Sequence, residues 1–180
     1  QELDGYVNRL IDEQSGSSCE GLIGDLVSTY EQADHLSRDE LVAMVEAVLL
    51  AGTDTTRNQL GATLAVLGDH PEQYAALRQD RTLIPAAIEE SLRYIGAVRS
   101  TARLASQDLV VDGFFFPAGT TVLIGLHAAA LSQVGESDGY RFDIKRSQSC
   151  PHLAFGSGAH HCLGAFLARA ELQEALAAFV

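Results

Sequence analysis

The stretch FGSGAHHCLG, residues 155–164, holds a single cysteine, Cys162, at the edge of a helix-period run, AFLARAELQEALAAFV. Gly156 and Gly158 can each take backbone angles closed to other residues, so the segment before Cys162 predicts an irregular loop. A cysteine at that junction faces the unpaired N–H groups and the positive dipole end of the coming helix. Both favour thiolate over thiol. Phe155, seven positions back, is placed to shield such a sulfur from water. A lone cysteine is also a common small buried hydrophobe, but that reading leaves three glycines and a histidine without a purpose. The pattern predicts a socket for one soft metal ion, with too few ligands for a whole zinc site.

At every position, F-G-x-G-x-H-x-C-x-G resembles the heme-binding signature of the cytochrome P-450 superfamily, the heme-thiolate monooxygenases. The resemblance implies heme b (iron protoporphyrin IX) as cofactor. Cys162 is then the axial thiolate on the iron, the chain's metal ligand, pushing electron density that favours O–O cleavage. His160 lies along the heme edge and bonds a propionate, and Gly164 lets the following helix pass close to the porphyrin. Phe155 and Gly156 belong to the same cofactor-binding loop.

A second centre lies upstream. Ser37 and Glu40 form a capping box, and a helical run continues to about Leu67. Roughly thirty residues at 1.5 Å each span about 45 Å. Inside it sits AGTDTT, Ala51 to Thr56, where a glycine and three β-branched threonines are poor helix formers. Such a run marks either a kink or a place where something approaches the backbone. Threonine hydroxyls can bond the carbonyl four residues back, and Ala51 and Gly52 remove bulk. Asp54 beside Thr55 sets an acid next to an alcohol, a pair able to hold water and relay protons. The motif resembles the family's oxygen-binding helix, A-G-x-D-T-T. On that resemblance Thr55 steadies iron-bound dioxygen and Asp54 feeds protons to its distal oxygen, which favours a monooxygenase over the peroxide-using branch.

Between the two, His70-Pro71 ends the long helix and another begins at about Glu72. After a break near Asp80 to Thr82, PAAIEESLRY predicts a helix with Pro85 in its first turn. Glu90 and Arg93 share a face of it. A solvated pair at that spacing is common, but E-x-x-R is also the family's third hallmark, a buried structural pair tying this helix to the loop before the heme motif. Arg141, in YRFD, resembles the usual third partner. Here SQVGESDGYRFD lacks the prolines usual in that loop, and Ala130-Leu131-Ser132 replaces a commoner asparagine-containing turn. Both departures bear on the loop's path and on the part of Arg141.

The β part follows. DLVV and FFF flank Asp112-Gly113, a strong hairpin signal, and Pro117 to Gly119 turn into TTVLIGLHAAA, with His127 a core or sheet residue. Arg103 reads as a solvated strand-edge arginine; the resemblance instead places it on a heme propionate. His152, in PHLAFG, has a packing role. At the start, Leu3, Val7, Leu10 and Ile11 mark a helix over Glu2–Gln14. A polar loop carrying Cys19 and a helix from about Leu22 to Tyr30 come next.

The 180 residues carry a formal charge of −12, against a nucleic-acid partner whose backbone wants a basic patch. Cys19, Cys150 and Cys162 are odd in number with no C-x-x-C pair, which fits a reducing compartment, the cytoplasm. No apolar run reaches the roughly 18–20 residues of a membrane span. The expected fold is mainly α with a small antiparallel β-sheet, a single partial domain over residues 1–180. The resemblance begins near Leu3 and covers half the family's length, with the N-terminal half and extreme C-terminus absent. It implies a bacterial, soluble-type monooxygenase inserting one atom of O2 into a small organic substrate. Electrons come from NAD(P)H through a ferredoxin or flavodoxin type partner. Two alternatives remain: a truncated chain with no catalysis of its own, and a zinc module using Cys162 with His160, His161 and His152.

Overall fold

Leu3, Val7, Leu10 and Ile11 recur at helical spacing, and Glu2–Gln14 forms α1 as that spacing predicts, with Glu2 and Asp4 at the favourable end of its dipole. The computed structural model describes residues 2–15, 21–32, 36–133, 138–146 and 152–180. Cys19, Cys150 and part of the SQVGESDG stretch lie outside the described residues. The chain divides into two compact units, residues 1–54 and 55–180.

In the first unit, α2 (Leu22–Gln32) runs two residues past the expected Tyr30. α3 (Arg38–Asp69, 32 residues), of which residues 38–54 belong to this unit, opens with the capping box: the Ser37 N–H donates to the Glu40 carboxylate at 2.7 Å, and the Glu40 N–H to Ser37 Oγ at 3.3 Å. Val7, Ile11, Val27, Leu41 and Val45 close a small core. Arg38 fastens the start of α3 to α1, donating to the Asn8 carbonyl at 3.2 Å and pairing with Asp12 at 2.6 Å.

In the second unit, Pro71 opens α4 (Pro71–Gln79), where its missing N–H costs nothing. Asp80 Oδ1 accepts from the Thr82 N–H and closes a 3-10 turn, Arg81–Leu83, that feeds α5 (Ile84–Ile95). α5 is buried on most sides. Its Ala87, Ile88 and Leu92 pack with Leu67, Leu77, Phe142 and Ile144, and with Leu172 and Leu176 of α7 (Ala165–Phe179). Each large aliphatic side chain so buried contributes about 1.5–3 kcal/mol. Gln73 holds the segment bearing Phe142 and Ile144: its amide donates to the Phe142 carbonyl at 3.1 Å and accepts the Ile144 N–H at 3.0 Å.

The antiparallel part forms two two-stranded ladders. β1 (Thr101–Leu104) pairs with β4 (Thr121–Ile124), and β2 (Leu109–Val111) with β3 (Phe114–Phe116). Asp112 and Gly113 both take positive φ, 49° and 83°, the type I′ turn of a two-residue hairpin. Of the stretch TTVLIGLHAAA, placed in the β part, only Thr121–Ile124 is strand. Leu126–Ser132 is instead helix α6, because Leu126, Ala130 and Leu131 bury at helical spacing and three alanines favour it. His127 is thus a helix residue, its Nε2 2.8 Å from the Tyr94 carbonyl.

Candidate functional site

The cysteine loop is shaped by its glycines. Gly156 takes φ +69° and donates its N–H to Leu153 O at 2.9 Å, and Gly158 takes φ +74° to start a 3-10 turn, Gly158–His160. The chain then returns, so that the Cys162 N–H meets the Phe155 carbonyl at 2.9 Å. Cys162 lies three residues before α7 rather than inside its first turn. Its carbonyl accepts the Ala165 N–H at 3.3 Å. The thiol is free and exposed. Leu163 and Phe166 beside it are 83% and 86% exposed, and a Cβ on Gly164 meets nothing within 4 Å. One exposed sulfur, with exposed apolar side chains at Leu163 and Phe166 and an open glycine at Gly164, fits a flat, apolar prosthetic group carrying a soft metal. His160 is exposed in the turn.

The zinc arrangement does not form. No three His, Cys, Asp or Glu side chains gather as a metal cluster among the described residues. His152 is occupied elsewhere, with Nε2 3.1 Å from Glu89 and Nδ1 accepting the Ala154 N–H at 3.2 Å.

On α3, residues 51–56 stay helical, and Ala51, Gly52, Asp54 and Thr55 are exposed. Thr53 bonds the Leu49 carbonyl four residues back at 2.8 Å. Gly52 has open space where a Cβ would stand. On β1, the Arg103 guanidinium turns back to Thr101 Oγ1 at 3.0 Å and the Ala102 carbonyl at 2.8 Å.

Glu90 and Arg93 form a two-bond pair, Nε–Oε2 2.7 Å and Nη2–Oε1 2.8 Å, with side chains 5% and 3% exposed. Further bonds make that burial tolerable. Arg93 donates to the carbonyls of Gly139 and Arg141, and Glu90 Oε1 takes the Asp143 N–H at 2.9 Å. The arginine whose guanidinium completes the set is Arg146, 3.2 Å from Glu90 Oε1, not Arg141. Arg141 contributes its carbonyl, to Arg93 at 3.1 Å and Arg146 at 2.7 Å, while its own side chain, 62% exposed, pairs with Asp138 and Asp143. The turn at 138–141 points that guanidinium to solvent and leaves the inward place to the arginine five residues on. Hydrogen bonds from Arg146, then Arg141, hold the Asp138 carboxyl below its ordinary value.

Several residues of this architecture carried no local signal. Glu89 meets Arg169 from 80 positions away. Gln59 and Thr63, polar residues four apart on α3, are buried against Ser91 of α5.

A family model described as Cytochrome P450 matches residues 2–180. The cytochrome P450 monooxygenase PikC of Streptomyces venezuelae is 43% identical over 99% of this chain and 43% of its own length. The vitamin D3 dihydroxylase of Streptomyces griseolus is 39% identical over 99% and 44%. Among solved structures, the tirandamycin C-bound P450 monooxygenase TamI superposes with a TM-score of 0.91 at 35% identity, over 99% of this chain and 45% of that one. The chain therefore spans less than half the length of these relatives. A glycine-bent loop that presents one bare sulfur, a buried Glu-x-x-Arg pair, and a match from residue 2 to residue 180 lead to one conclusion: the chain belongs to the cytochrome P450 family.

Proposed function

We propose that this chain carries the heme-ligating part of a monooxygenase that inserts one atom of O2 into a small organic substrate and reduces the other to water. Electrons come from NAD(P)H through a ferredoxin or flavodoxin type donor, in the cytoplasm. Heme b, when bound, supplies the redox-active iron that activates dioxygen. Cys162 is its sulfur ligand, and the bond from the Cys162 N–H to the Phe155 carbonyl fixes the main chain that carries the sulfur. Phe155 and Gly156 shape the loop, and Gly164 leaves the backbone bare for a close approach. His160 and Arg103 bind the propionates, Arg103 by giving up its bonds to its own strand. Ala51 and Gly52 leave room on α3. The Thr55 hydroxyl and the neighbouring Asp54 carboxyl hold and pass protons to the oxygen being reduced. Glu90, Arg93 and Arg146 keep the preceding loop in place.

The observation that carries this reading is the exposed, undisulfided Cys162 on its glycine-bent loop, flanked by exposed Leu163 and Phe166. The carbon monoxide difference spectrum of the reduced, heme-loaded chain tests it. A strongly red-shifted Soret band is expected; a band at the position of histidine-ligated heme overturns the assignment. A second reading, a chain with no catalysis of its own, is favoured by the exposed Leu104, Val110, Phe114, Phe115 and Leu123 on the strands. Stoichiometric heme in a monodisperse monomer counts against it.

A further inference from the structure

We propose that Glu89 and Arg169 are positioning residues that hold the Phe155–Cys162 loop in its ligating geometry by way of the Phe155 ring. This rests on the reading of Cys162 as the iron's ligand. α5 presents two consecutive carboxylates, about 100° apart around the helix. Glu90 turns to Arg93 and Arg146. Glu89 turns to the cysteine loop and α7. Its Oε1 takes Arg169 Nε at 2.7 Å, and its Oε2 takes Arg169 Nη2 at 3.1 Å. The two bonds lock the planar guanidinium in one orientation, which a point-charge ammonium cannot reproduce.

The orientation so fixed has a target. Arg169 Cζ lies 4.4 Å from the centroid of the Phe155 ring, a cation–π contact. The His152 ring lies 6.1 Å from the same ring, tilted by 44°. His152 is itself tied to Glu89 through Nε2. Its Nδ1 accepts the Ala154 N–H, so Nε2 is the nitrogen that donates to Glu89. Glu89 therefore holds two neighbours of the Phe155 ring, whose other contacts are with the core.

Phe155 also supplies the carbonyl that takes the Cys162 N–H. Fixing its ring fixes the peptide that orients Cys162. Arg169 reaches the other end of the loop as well: Nη1 is 3.4 Å from the Ala165 carbonyl, and the Ala165 N–H bonds the Cys162 carbonyl. One guanidinium thus touches the residue before and the residue after the sulfur-bearing segment.

The test is Arg169→Lys, which keeps the charge but loses the two-bond fork and the planar face. In the heme-loaded chain, reduced and carbonylated, the fraction of thiol-ligated, less red-shifted Soret absorption should rise severalfold. Exchange of the Cys162 amide hydrogen should quicken severalfold while that of Leu92 in α5 is unchanged. Glu89→Gln should act in the same direction. In a Phe155→Leu background, Arg169→Lys should add nothing further to either readout, since its target is gone. A lower melting temperature with unchanged band ratio and unchanged Cys162 exchange, or fully additive effects in the double variant, overturns the proposal. If the variants fail to retain heme, Cys162 exchange in the unloaded chain decides by the same criterion. A wild-type chain without the red-shifted band would sink the ligand assignment alone, because the exchange measurement still reads the loop.

Discussion

The Cys162 N–H donates to the Phe155 carbonyl at 2.9 Å, while the Cys162 thiol is exposed and unbridged. Main chain and side chain of this residue therefore have separate tasks. Cys162→Ser should leave the unfolding free energy within about 0.5 kcal/mol of wild type, as for exposed positions generally. The red-shifted band of the reduced carbonyl form should disappear, because an alcohol at neutral pH offers no anionic ligand. Urea unfolding and the difference spectrum of one preparation check both halves.

Arg146 and Arg141 should differ sharply in cost. Arg146→Ala strips a guanidinium from the buried Glu90 carboxylate, which lies on the scale of about 3 kcal/mol for a broken buried pair. Arg141→Ala removes only exposed pairs, worth about 0–1 kcal/mol, and keeps the carbonyl that Arg93 and Arg146 use. Equal losses in urea unfolding would contradict the assignment of Arg146 as the inward arginine.

Much of this organisation is written locally. Ser37 and Glu40 announce the start of α3, Pro71 and Pro85 sit in first turns, and Asp112-Gly113 closes its hairpin. Gly156 and Gly158 take the positive φ that their place in the loop suggested. What escaped depends on where distant segments end up. Both Arg141 and Arg146 follow the same chain into the loop, and only its turn at residues 138–141 decides which guanidinium points inward. Glu89, Arg169 and His152 lie on three separate segments, each an ordinary polar residue in its own stretch of sequence. The helix at Leu126–Ser132 was masked by the β-rich residues just before it.

Two glycines of the loop separate folding from cofactor fit. Gly156→Ala places a side chain at φ +69° and should cost about 1–2 kcal/mol of stability. Gly164→Ala adds a methyl group where nothing lies within 4 Å, at an ordinary φ of −83°, and should leave stability unchanged. Its effect should appear in heme titration, as severalfold weaker binding. Unchanged affinity would remove Gly164 from the cofactor surface.

Acid should loosen the junction of α5 with the cysteine loop. Burial works to raise the Glu89 pKa, but hydrogen bonds from His152 and Arg169 outweigh it and hold the group at about 2, against an ordinary 4.5. A value lowered on folding means stability fully present above about 4.5 and lost as pH falls toward 2. The shift corresponds to about 3 kcal/mol, reduced to about 1–2 kcal/mol by screening of a side chain 26% exposed. Glu89→Gln should flatten that limb of the stability profile; parallel acid limbs would contradict it.

Thr55→Ala, made in a P450 containing this segment and supplied with its electron donor, should retain the red-shifted band. Hydrogen peroxide released per NAD(P)H consumed should increase severalfold as proton delivery fails. Unchanged coupling would take Thr55 out of the relay.

Gln59 of α3 accepts the Ala97 N–H at 2.8 Å and packs beside Thr63 and Ser91, whose hydroxyl oxygens are 2.9 Å apart, all away from water. Greasy surfaces alone tolerate sliding, since one methyl group replaces another at little penalty. The Gln59 amide does not, because displacing α3 along α5 by a single turn leaves it dry and unmatched, while the Thr63 and Ser91 hydroxyls keep the carbonyls of Gln59 and Ile88 in their own helices. The alignment of the stretch of α3 that starts at Thr55 is thereby set by one notched amide as well as by the shape of the interior.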